Sequence, residues 1–134
     1  MTTQMQYIGE LSNRYDVLAD ARRALAEAEA SLLRSKARLT EADRALDELM
    51  LMLVATAPKE TCTNEAQRKA YALDGSRAAA EVADGLRAAH LEEEIRHLYA
   101  RHYVRQADDA RRFLEMLPVV AALPGELYLP ETAE

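Results

Sequence analysis

A chain of 134 residues suffices for one domain, and 23 Asp and Glu against 17 Lys and Arg, a formal charge of −6, argue against a surface that attracts nucleic acid throughout. Four Gly, four Pro, one Phe and no Trp leave little material for strands and match the composition of long helices and coiled coils. The lone Cys62 makes no intramolecular disulfide and no paired Cys/His spacing suggests structural zinc, so a reducing, cytoplasmic setting is the expectation.

The start, MTTQMQYIGE, has neither a basic opening nor the apolar core of a signal segment. No apolar run approaches the roughly 18 residues of a spanning helix, so the expected chain is neither exported nor membrane-embedded. A first helix is predicted over about 8–56. In it leucine recurs every seventh residue, at Leu11, Leu18, Leu25, Leu32, Leu39, Leu46 and Leu53. A seven-residue apolar repeat keeps one seam toward a partner when two helices wind left-handedly around each other. Three residues after these leucines stand Arg14, Ala21, Ala28, Ser35, Ala42 and Leu49. Mostly small side chains at that second seam position favour a close antiparallel neighbour.

Pro58 cannot extend an α-helix without losing a hydrogen bond, so a turn is predicted over about 57–63. Thr63 or Asn64 can cap a new helix, and Asn64 with Gln67 has capping-box spacing. The second helix is predicted over about 64–117, with a break near Gly75. At 100° per residue, Ala66, Ala70, Leu73, Ala80, Leu91, Ile95, Leu98, His102, Phe113 and Met116 share one side, which is assigned to the first helix. Ala79, Val82, Leu86, Ala89, Ala100, Val104 and Ala107 lie opposite and are expected to need a third neighbour. The fold class is therefore all-α: an antiparallel coiled-coil hairpin of two long helices in a domain of residues 1–117, self-associating into a helical bundle. The oligomer interface is assigned to the seven leucines with Val82, Leu86 and Val104. Residues 118–134 form a proline-containing tail, apolar enough to engage a protein partner.

Three pieces of chemistry compete on the second helix. In HLEEEIRH, residues 90–97, His90, Glu94 and His97 project from one side, and EIRH has the Glu-x-x-His spacing suited to iron or manganese. That segment resembles the half-ferritins, two-helix chains that complete a di-iron bundle by dimerising. The resemblance would carry Glu27 or Glu29 from the first helix with Glu94 and His97 from the second. A solvated face, with the histidines paired to carboxylates, is the favoured reading, and no cofactor is expected. His102 is expected in the core or an interface. Arg87, Arg101, Arg105 and Arg112 form a basic stripe flanked by Tyr99 and Tyr103, which could hold phosphates and stack on bases. Pairing of these arginines with acidic residues of the first helix or of a second subunit is the favoured reading, and nucleic acid is the minority one. Cys62 has no histidine beside it in sequence and reads as an incidental surface thiol, and an extended hairpin offers no evident catalytic pocket.

TNEAQRKAYAL, residues 63–73, resembles a pattern in small coiled-coil hairpin proteins of bacteriophages and mobile elements, where an Asn begins the second helix. The resemblance implies an accessory protein of a bacterial cytoplasm. The leading reading is a non-enzymatic, oligomeric coiled-coil adaptor or structural protein. A nucleic-acid accessory role and a metal-binding role are the alternatives.

Overall fold

A computed structural model describes residues 2–121. All three elements are helices: α1 (Thr2–Thr56), α2 (Glu65–Gly75) and α3 (Arg77–Ala121). Among the described residues there is no strand, and no helix is both long and apolar enough to cross a membrane. α1 runs 55 residues without interruption, because Ala, Leu, Glu and Arg dominate it and Gly9 is its one glycine. It begins at Thr2 rather than near residue 8, since no proline or cluster of glycines opposes the first turns.

The chain divides into two units, one of Met1–Glu27 with Leu98–Glu134 and one of Ala28–His97. In the first, Leu18 and Ala21 of α1 bury against Ala107 of α3, with Val17 and Val104 packed beside them. Leu18 is 2% exposed, and Leu11 and Leu25 are half-buried. The Tyr7 hydroxyl donates to the Leu114 carbonyl at 2.9 Å. That carbonyl would normally accept from the amide four residues on, which is the missing one of Pro118. α3 therefore continues through Pro118 to Ala121, where the sequence suggests a stop at Leu117. Residues 122–134, most of the expected tail, lie outside the described residues.

In the second unit, Leu32, Leu39, Leu46 and Leu53 are half-buried along α1 and Ala28 is buried. Glu29 meets His97, Ser35 meets His90, and Asp43 meets Arg87, so residue number rises on α1 as it falls on α3. The turn after α1 is closed by the Cys62 amide donating to the Pro58 carbonyl at 2.9 Å. Asn64 caps α2, accepting from the Gln67 amide at 2.8 Å. Gln67 reaches back one residue further than a capping box requires, its side-chain oxygen accepting from the Thr63 amide at 2.6 Å and the Thr63 hydroxyl at 2.9 Å. Ser76 separates α2 from α3, yet its amide still donates to Ala72 and its carbonyl still accepts from Ala80. The second helical stretch is thus two elements with i to i−4 bonding preserved across their junction. A Cβ at Gly75 would stand 3.0 Å from a Leu53 methyl, so a side chain there needs the leucine to give way slightly.

The assignment of faces on α3 is reversed relative to the sequence expectation. Leu91, Ile95, Leu98, His102, Phe113 and Met116, assigned to the first helix, are exposed. Ala79, Leu86, Ala100, Val104 and Ala107, expected to be left wet, are half-buried or buried, while Val82 and Ala89 from that line are exposed. The reason is steric. Where α1 presents a leucine at every seventh position, small residues such as Ala83 and Ala107 let the backbones approach, and the bulkier line is turned outward.

Candidate functional site

The inward face of α3 alternates every three or four residues through Ala79, Ala83, Leu86, His90, Glu93, His97, Ala100, Val104, Ala107, Arg111 and Leu114. It is a seam by spacing, but four of its members are ionisable. They build two polar clusters, one in each unit.

In the second unit, His90 Nδ1 lies 2.6 Å from Ser35 Oγ, and its Nε2 lies 3.1 Å from a Glu94 carboxylate oxygen. Ser35 also reaches the Leu32 carbonyl at 3.0 Å. The serine hydroxyl therefore has two settings. It donates to Nδ1, or it accepts from an Nδ1–H and donates to Leu32, according to the imidazole tautomer. His97 Nε2 stands 3.5 Å from a Glu29 oxygen, and Glu93 pairs with Arg96 at 2.9 Å while its second oxygen is buried with no hydrogen-bond partner among the described residues. Both imidazoles are well covered, at 16% and 18% side-chain exposure, so a carboxylate beside each is what makes their burial tolerable.

This cluster brings serine, histidine and glutamate within hydrogen-bond reach on two long helices. Ser35 lies in the middle of a continuous helix, where backbone amides are spent on carbonyls four residues earlier and none is left to stabilise an oxyanion. A groove of about 540 Å³ is lined by Asp47, Met50, Leu51, Val54, Lys69 and Leu73, and a cavity of about 430 Å³ by Val54, Cys62 and Arg68 among others. Neither includes Ser35, His90 or Glu94.

The residues of the half-ferritin resemblance do not converge. Glu94 holds His90, Glu29 holds His97, and Glu27 is exposed and belongs to the other unit. Among the described residues no group of three or more His, Cys, Asp or Glu is disposed to hold a metal ion.

In the first unit, Arg111 is inserted into the seam with 18% of its side chain exposed. It donates to Asp108 at 2.7 Å and to Glu115 at 3.1 Å, and its guanidinium lies 5.5 Å from the centre of the Tyr15 ring. The Tyr15 hydroxyl donates to Glu115. The hydrogen bond from Arg111 is the largest cause holding the Asp108 carboxyl below the usual aspartate range, burial opposes it, and the charges of Arg112, Arg111 and Arg22 add to it. The bond to Asp108 likewise raises Arg111 further above its already high range. Nothing in the sequence pattern singles out Arg111, because an arginine at a seam position is read as surface charge unless its partners are known.

The basic stripe is divided in the same way. Arg87 donates to Asp84 and Asp43, at 2.8 and 2.9 Å, and Arg112 pairs with Asp108 at 3.1 Å. Arg101 and Arg105 are exposed and make no ion pair among the described residues, and Tyr99 and Tyr103 are exposed as well. His102 is exposed, so of the expected core or interface position the core is excluded. The expectation for Cys62 is corrected, since it is buried by the turn after α1 rather than a surface thiol.

Comparison with protein-family models, curated proteins and solved structures yields no match.

Proposed function

We propose that the chain is a non-enzymatic structural or adaptor protein, an antiparallel coiled-coil hairpin whose outer faces assemble with further copies into a helical bundle. One observation carries this reading. Among the described residues Leu18 is the one large apolar side chain that is fully buried, whereas Leu33, Leu51, Leu91, Leu98, Phe113 and Met116 are all more than half exposed. A chain that buries alanines inside and turns leucine, phenylalanine and methionine outward leaves apolar side chains that further copies can cover. The falling residue order of the Glu29, Ser35 and Asp43 contacts on α3 supports the antiparallel hairpin. Polar inserts at His90, His97 and Arg111 suit a pairing whose register must be unique, the best-attested use of buried polar groups in coiled coils.

The proposed setting is a bacterial cytoplasm, with an accessory role in a phage or mobile element following from the resemblance of residues 63–73. The tail beyond Pro118 is the proposed contact for another protein. Light scattering across a hundredfold concentration range tests the assembly. A mass that is a multiple of 15.0 kDa is expected. A monomer throughout would remove the reading.

A nucleic-acid role keeps one supporting observation, the two uncommitted arginines Arg101 and Arg105 with exposed Tyr99 and Tyr103 beside them. It requires oligonucleotide affinity that falls steeply with salt, and no binding at low salt would end it.

A further inference from the structure

We propose that the outer face of α3 between Leu98 and Met116 is where a second copy of this chain docks, with the two α3 helices antiparallel about a two-fold axis at the level of Ala107. This rests on the oligomeric reading above and specifies the surface it uses.

On the solvent side of α3, Leu98, His102, Arg105, Asp109, Arg112 and Met116 alternate at four and three residues, the spacing of a second seam. The face is about 27 Å long at 1.5 Å per residue. Its ends are apolar: Leu98 is 59% exposed, Met116 60% and the adjoining Phe113 65%. Its centre is charged. Arg105 and Asp109 lie one turn apart, both exposed, and neither makes an ion pair among the described residues.

Charge complementarity selects the occupant and its direction. An antiparallel copy related by two-fold symmetry about Ala107 brings together residues equidistant from it. Arg105 then faces Asp109 of the second copy, and Asp109 faces Arg105 of the second copy, so two opposite-charge pairs form from one sequence motif. Leu98 meets Met116 of the second copy at each end, and Arg101 meets the Phe113 ring, an arrangement that arginine and aromatic rings favour. A parallel copy would instead set arginine against arginine and aspartate against aspartate, which costs affinity. Self-complementarity of this kind is the signature of an isologous dimer contact.

The test is light scattering on the full chain with Arg105→Asp, Asp109→Arg and the double swap, each checked for helicity by circular dichroism. Each single swap should raise the dissociation constant about tenfold or more, because it places like charges across the axis twice. The double swap should restore the wild-type mass. Single swaps that keep both wild-type mass and helicity overturn this face while leaving the oligomeric reading intact, whereas a monomeric wild type removes both. Dissociation that the double swap fails to restore overturns the pairing. Loss of binding to a single-stranded oligonucleotide in Arg105→Asp, with mass unchanged, assigns the face to nucleic acid and also overturns it.

Discussion

Pro118 and Tyr7 are more than 100 residues apart, and one hydrogen bond explains both. Proline removes the amide that would serve the Leu114 carbonyl, and the Tyr7 hydroxyl fills that acceptor at 2.9 Å. Tyr7→Phe should lower stability by about 1 kcal/mol in urea titration. In a Pro118→Ala background the restored amide competes for the same carbonyl, so the tyrosine change should cost much less. Equal costs in the two backgrounds would show that the hydroxyl is not compensating for the proline. Asp108 supports a pH prediction. Its carboxyl is held below the ordinary value of about 3.9, chiefly by the hydrogen bond from Arg111, so the folded chain releases this proton more readily than the unfolded one. The associated stability is complete above that ordinary value and is lost as pH falls through the lowered one. The midpoint of thermal unfolding should therefore fall more steeply below about pH 4 in the wild type than in Asp108→Asn. Identical slopes would dissociate Asp108 from acid sensitivity.

The helices differ in how openly their sequences declare themselves. α1 is legible because one residue type, leucine, marks a seam at every seventh position, and all seven leucines are half-buried or buried. α3 is not, because its inward line mixes alanine with His90, Glu93, His97 and Arg111, and summed hydrophobicity points instead to Leu91, Ile95, Leu98, Phe113 and Met116. Hydrophobicity measures what wants to be covered, not which neighbour in the chain covers it. Glycines mark the same contrast between free and constrained positions. A Cβ at Gly85 meets nothing within 4 Å, while one at Gly75 meets Leu53 at 3.0 Å. Gly85→Ala should therefore gain up to about 1 kcal/mol from helix propensity alone. Gly75→Ala should gain distinctly less, or lose, because Leu53 must move. Urea midpoints of the two variants decide the matter, and equal gains would mean that the approach of Leu53 to Gly75 imposes no constraint.

At the scale of the whole chain, the all-helical class is legible in the composition, since four glycines, four prolines and few aromatics leave little material for a sheet. The polar clusters are only half visible in it. His90, Glu94 and His97 can be placed on one side of a helix by spacing, but their pairing with Ser35 and Glu29 depends on a register that the turn after Thr56 sets. The same register turns apolar bulk outward, and that has a thermodynamic consequence. If copies of the chain cover those faces, the folded assembly is favoured by mass action, and unfolding must also dissociate it. The thermal midpoint should then rise with protein concentration, by several degrees over a hundredfold range. For a chain that folds alone it would not move. A midpoint independent of concentration, measured by circular dichroism at 222 nm where helix loss is read directly, would mean that Leu91, Leu98, Phe113 and Met116 face water in the working protein, and that assembly contributes nothing to its stability.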